Sequence, residues 1–236
     1  MAHIAYGRAR RGRPTGLSVL PLVGFALAGS LAIAYVGYVL WPRWPAEPPV
    51  TLDAPALPIT VSGVAFNIEP AAIRMPVQRK PGAHERVDLA YLWPSLTPPD
   101  PAVKPSVGAP LDPNERLFVT IAGGEATLPP GERLKTIYPR YLTPAIENGP
   151  GGLMLRHFSD GSPYQGEDLI YDAAVPERFV ARCTRKGVGN SGVCLDERRI
   201  DGADVTFRFP RDWLADTATL TSGIERLMAR LHPAAR

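Results

Sequence analysis

Apolar positions along this chain follow three patterns in turn: an unbroken run, then alternation with period two, then recurrence at three- and four-residue steps. The unbroken run is Leu17–Leu40, LSVLPLVGFALAGSLAIAYVGYVL, twenty-four residues without a charge. At about 1.5 Å per residue such a helix measures about 36 Å, enough to cross a hydrocarbon core of about 30 Å with some tilt. A core helix of a globular domain seldom stays apolar all round, so the stretch predicts a transmembrane helix over 17–41. Pro21 falls near its start, where a missing N–H costs little. Tyr35, Tyr38, Trp41 and Trp44 crowd the far end, as rings do at a headgroup boundary.

Arg8, Arg10, Arg11 and Arg13 precede the run, with no acid among the first sixteen residues, and only Arg43 follows closely. That asymmetry puts residues 1–16 in the cytoplasm as a basic tail, the span in the inner membrane and the rest in the periplasm. A cleaved secretory signal competes with this reading, because Ala26-Leu27-Ala28 before Gly29 satisfies a small-x-small rule. Another dozen apolar residues beyond that site argue for an uncleaved anchor. Gly24, Ala28 and Ala32 recur at four-residue spacing, which allows close approach of a second helix or simply faces lipid. Residues 41–58 hold six prolines in eighteen positions, so 42–58 reads as an extended stalk, a spacer or a docking strip.

Period-two alternation begins at Ile59. ITVSGVAFNI predicts a first strand kinked at Gly63, and RVDLAYLW (86–93) a second, with Val87, Leu89 and Tyr91 on one face. Pro70 opens one helical turn that Pro76 stops. Seven prolines between Pro94 and Pro113 predict a long loop, and RLFVTI (116–121) a third strand. Pro129-Pro130 starts a helix on which Leu134, Ile137, Tyr138 and Tyr141 share a face, kinked or ended at Pro139. LMLRHF (153–158), DLIYD (168–172), RFVARC (178–183), VCLDERRI (193–200) and DVTFRFP (204–210) are spaced as an antiparallel meander. The last helix begins near Pro210 and Asp212, carries Leu220, Ile224, Leu227, Met228 and Leu231 in register, and ends at His232-Pro233. The predicted class is α+β: an N-terminal transmembrane helix, then an antiparallel sheet packed by a long C-terminal helix, with the exported domain over 59–232.

Charge narrows the partners. The formal net charge is +3, from 26 Lys and Arg against 23 Asp and Glu. Four of those cations lie in the leader, leaving 22 against 23 from residue 17 onward, so the exported part has no electrostatic footprint for nucleic acid. Cys183 and Cys194 are the two cysteines, and outside the cytoplasm such a pair predicts one disulfide, clasping a hairpin near its open end. His3, His84, His157 and His232 show no metal-ligand spacing, so no metal and no cofactor are expected.

ITVSGVAFNIEPAAIRMPVQRK, RVDLAYLWPSL, LFVTI, ERFVARC with its nearby second cysteine, and VTFRFPRDWL before a terminal helix stand together in this order. The set resembles an uncharacterised group of single-span, membrane-anchored exported proteins of proteobacteria. The likeness covers most of 59–231 and implies topology and domain extent, with no activity attached.

Enzyme signatures are missing: there is no G-x-S-x-G, H-E-x-x-H, glycine-rich phosphate loop or S-x-x-K. The densest polar stretch, Arg156 to Tyr164, brings His157 near Ser159 and Asp160, but SDGSP reads as a turn, and triads assemble from distant residues. Arg182, Arg185, Lys186, Arg198 and Arg199 form a candidate basic rim, with Glu177, Asp196 and Glu197 nearby to neutralise it. Arg156, Arg182 and Arg208 each sit among apolar residues inside a predicted strand. Sharing a face, they would offer a site for an anion or acidic partner, or else snorkel over apolar neighbours. Arg156, His157, Arg182 and Arg208 are therefore the candidate binding residues. The expected function is that of a non-enzymatic accessory, held to membrane lipid through 17–41 and binding a membrane or periplasmic protein. The alternatives are an envelope hydrolase using His157 with a carboxylate, and a sensor module acting through a partner helix.

Overall fold

The computed structural model describes residues 19–41, 50–103, 115–124, 128–176, 178–187 and 192–233. The basic tail, residues 42–49 of the proline-rich stalk, much of the 94–113 loop and Glu177 fall outside those residues. Helix α1 spans Val19–Leu40, and from Pro21 to Trp41 every side chain is exposed. Its Pro21–Leu40 segment is long and apolar enough to cross a membrane, and a helix of this kind serves as an anchor or a signal sequence. The one hydroxyl in mid-helix, Ser30, donates to the Ala26 carbonyl at 2.9 Å and so needs no water.

The compact unit from Pro48 onward is built from two sheets. Strands β1 (Leu57–Val61) and β2 (Val64–Ile68) form a hairpin, and β3 (Gly82–His84) pairs with β1 in parallel. The single kinked strand expected from ITVSGVAFNI is therefore two strands. Ser62 and Gly63 both take positive φ, 49° and 81°, the backbone of a two-residue type I′ turn. Reversal lets Ile59, Val61, Val64, Phe66 and Ile68 all enter one core.

The second sheet has eight antiparallel strands in the order β4-β5-β11-β10-β9-β8-β7-β6. In chain order these are β4 (Arg86–Leu92), β5 (Arg116–Gly123), β6 (Glu147–Asn148), β7 (Met154–His157), β8 (Glu167–Tyr171), β9 (Val180–Thr184), β10 (Val193–Ile200) and β11 (Ala203–Pro210). From β6 to β11 it is a simple meander, closed against the β4–β5 hairpin. The mixed α+β class, with an apolar N-terminal helix, a large antiparallel sheet and a C-terminal helix, holds.

Opposite faces of this sheet carry different cover. On the first, Val87, Leu89, Val119, Ile121, Val205, Phe207 and Phe209 join the β1–β2 hairpin and the final helix in one core. Helix α2 (Pro130–Thr136) and the 3-10 turn Tyr138–Arg140 belong to the second face, where Tyr138, Phe158 and Leu169 form a smaller cluster. Pro139 divides the predicted helix there, because it denies a backbone N–H to a continuing ladder.

The C-terminal helix, α3, spans Thr217–Leu231, later than Pro210 and Asp212 suggested. Arg211–Asp216 is a 3-10 segment that stacks Trp213 on Trp93 at 4.7 Å before the true cap, Asp216, accepts from the Thr219 N–H at 3.1 Å. Leu220, Ile224, Leu227, Met228 and Leu231 are all buried. Gly223 on the same face must stay small, since a Cβ there would lie 2.8 Å from the Trp93 ring.

Candidate functional site

Strand register decides what the candidate residues can do together. Arg156 pairs with Leu169, Leu169 with Arg182, Arg182 with Leu195, and Leu195 with Arg208. Directly opposed residues share a face, so the three arginines lie in one row on the second face, alternating with leucines. Alternate strands are about 10 Å apart at the backbone. Each arginine also has its own surroundings. Arg156 donates from Nε and NH2 to the Thr143 carbonyl, at 3.2 and 2.6 Å. Arg182 pairs with Glu167 at 2.6 Å and lies 5.2 Å over the Tyr164 ring. Arg208 is exposed.

His157 points the other way. Its row runs His157, Asp168, Cys183, Cys194 and Phe209, on the side of the main core. Asp168 is a buried carboxylate, 2 % exposed, at the centre of a charged hub. It receives His157 Nδ1 at 2.6 Å, Arg185 Nε at 2.9 Å and Arg211 NH1 at 2.6 Å. Burial pushes its acidity weaker, but hydrogen bonds from His157, Arg185 and Arg211 outweigh that and hold it below the usual carboxylate range. The other ring nitrogen of His157, Nε2, lies 3.2 Å from Glu147. Two carboxylates therefore flank the ring, one at each nitrogen. A general base needs one ring nitrogen free for a substrate proton.

Beside the hub, Cys183 and Cys194 face each other across β9 and β10, with their sulfurs at 1.97 Å and Cα atoms at 4.0 Å. They stand next to the connecting loop, at the turn end of the hairpin rather than its open end. The basic rim does not form as a free patch: Arg185 serves Asp168, Lys186 pairs with Asp212, Arg198 with Asp196 and Arg199 with Asp204. Asp196 is buried, which raises its pKa despite Arg198. Among the described residues no group of three or more His, Cys, Asp and Glu is arranged to hold a metal ion.

Two clefts, which the sequence did not announce, open on the second face beside α2. One, about 290 Å³, has apolar walls from Leu134, Pro139, Leu142, Leu169, Tyr171 and Pro176, with Lys135 and Arg156 as its cations. The other, about 320 Å³, adds Val180 and Glu197 and shares Leu134, Lys135 and Pro176 with the first. His157 lines neither. Pro129, Pro130, Pro139 and Pro176 all line these clefts.

No family model and no curated protein matches the chain. Among solved structures it is similar to an immunity protein of the Stenotrophomonas maltophilia type IV secretion system. That pair is 14% identical over 75% of this chain and 92% of the other, with a TM-score of 0.49. It is also similar to the iron-regulated outer membrane lipoprotein FrpD of Neisseria meningitidis, 13% identical over 79% and 96% of the two chains, at a TM-score of 0.43. Similarities of this size say nothing of what this chain binds.

Proposed function

We propose that this is a single-pass inner-membrane protein with a cytoplasmic N-terminus, whose periplasmic domain over 59–232 binds a protein partner and performs no chemistry. The charge-free α1 and the arginine-rich leader support the topology. One observation carries the non-enzymatic reading: His157 is spent as a strut, its two nitrogens facing Asp168 and Glu147, while the open clefts lie on the opposite face of the sheet. The hydrolase reading gains the acidic neighbour it requires in Asp168, but that carboxylate already carries two arginines.

Crosslinking and affinity purification of the intact membrane protein test this directly. A discrete envelope protein is expected from wild type and from His157→Ala alike. Recovery of no envelope protein, together with turnover of an ester, peptide or glycan that His157→Ala abolishes, would replace this function with the hydrolase.

A further inference from the structure

Resting on the partner-binding reading, we infer that the cleft at Arg156 takes an acidic, apolar peptide segment: one carboxylate beside one aliphatic side chain, supplied by the protein partner. Charge complementarity selects the anion. Lys135 and Arg156 both line this cleft, and among its described lining residues none is acidic. Arg156 spends Nε and one NH2 proton on the Thr143 carbonyl, which leaves three of its five N–H donors. Among the described residues no carboxylate lies within ion-pair range of it. Lys135 lines both clefts, and the neighbouring one differs in lacking Arg156: its Glu197 pairs with Arg133 at 3.0 Å, its Arg198 with Asp196 and its Arg199 with Asp204. The carboxylate therefore belongs in the first cleft.

Size and layout select a peptide over a metabolite or a lipid tail. At about 290 Å³ the cleft stands at the floor of the ~300–1,000 Å³ range of small-molecule sites, room for a side chain and its flanking carboxylate. Leu134, Lys135 and Pro176 form a ridge shared with the second cleft, so an extended chain that fills one crosses directly to the other. Leu128 and Val175, 50% and 45% exposed, precede by one residue the prolines that line the clefts, and offer apolar contact at the rim.

The test is selection of random heptapeptides on the full-length protein in detergent, with the winners titrated against variants. Peptides pairing Asp, Glu or a free C-terminus with Leu, Ile or Val are expected. Losing a charge-assisted hydrogen bond should weaken them about tenfold in Arg156→Gln. Lys135→Glu, on an exposed helix position outside the core, should weaken them at least as much and guards against misfolding of the first variant. Selection of neutral or basic peptides, no selection at all, equal binding to Lys135→Glu, or displacement by sodium palmitate but not by peptides would each overturn the assignment. If a crosslinked envelope partner is still recovered in those cases, the partner-binding function stands and only this cleft falls.

Discussion

The two faces of the eight-stranded sheet grow from the same strands, yet one is sealed and the other is not. Under α3 and the β1–β2 hairpin, Val119, Val205 and Phe207 are at most 1% exposed, and the residues between them turn polar. Under α2, the cover is a seven-residue helix and a 3-10 turn broken by Pro139, which bury Leu169 but leave clefts along their edges. The core is concentrated where cover is continuous, and open surface is left where it is interrupted.

The sharpest break of that contrast is Phe207→Ala. Emptying a fully buried aromatic site should cost about 4 kcal/mol in urea unfolding followed by tryptophan fluorescence. Asp168→Asn comes next. Leaving Arg185, Arg211 and His157 without their charge partner should cost about 3 kcal/mol at neutral pH. Because the Asp168 pKa is depressed in the fold, its stabilisation is present above the ordinary carboxylate value and disappears as pH falls below about 4. Unfolding curves measured against pH should show that acid-side loss in wild type and a shallower one in Asp168→Asn.

On the second face, Leu134→Ala removes a half-buried wall of both clefts and should cost only about 1 kcal/mol while widening them. A loss as large as that of Phe207→Ala would mean the second face is packed like the first. Arg208→Ala, at an exposed position in the arginine row, should change stability by less than about 0.5 kcal/mol in the same assay.

Much of this architecture was legible in the pattern of apolar residues. VCLDERRI gave strand bounds that coincide with β10, and the helical register of Leu220 through Leu231 is the buried face of α3. The stretch read as one strand kinked at Gly63 is instead the β1–β2 hairpin, whose inward residues shift phase from Ile59 and Val61 to Val64, Phe66 and Ile68 across Ser-Gly. A phase break in a period-two pattern marks a turn or a bulge rather than an uninterrupted strand. The arginine row could be stated only conditionally, because register between strands is not written in any one strand. The hub was not legible. Arg185 and Arg211 reach Asp168 across sequence separations of 17 and 43, and Glu147 reaches His157 from a two-residue strand. The clefts were less so, since their walls come from α2, the Pro139 turn, β7, β8 and Pro176 together.

We propose that the cleft-bearing face is the surface this domain presents to its partner. A photoreactive benzophenone side chain placed at position 135 on the cleft ridge, and at exposed position 225 on α3 as a control, measures this in living cells. A single crosslinked envelope protein from position 135, absent from position 225, is the predicted result; no crosslink at 135, or the same products from both positions, would contradict it.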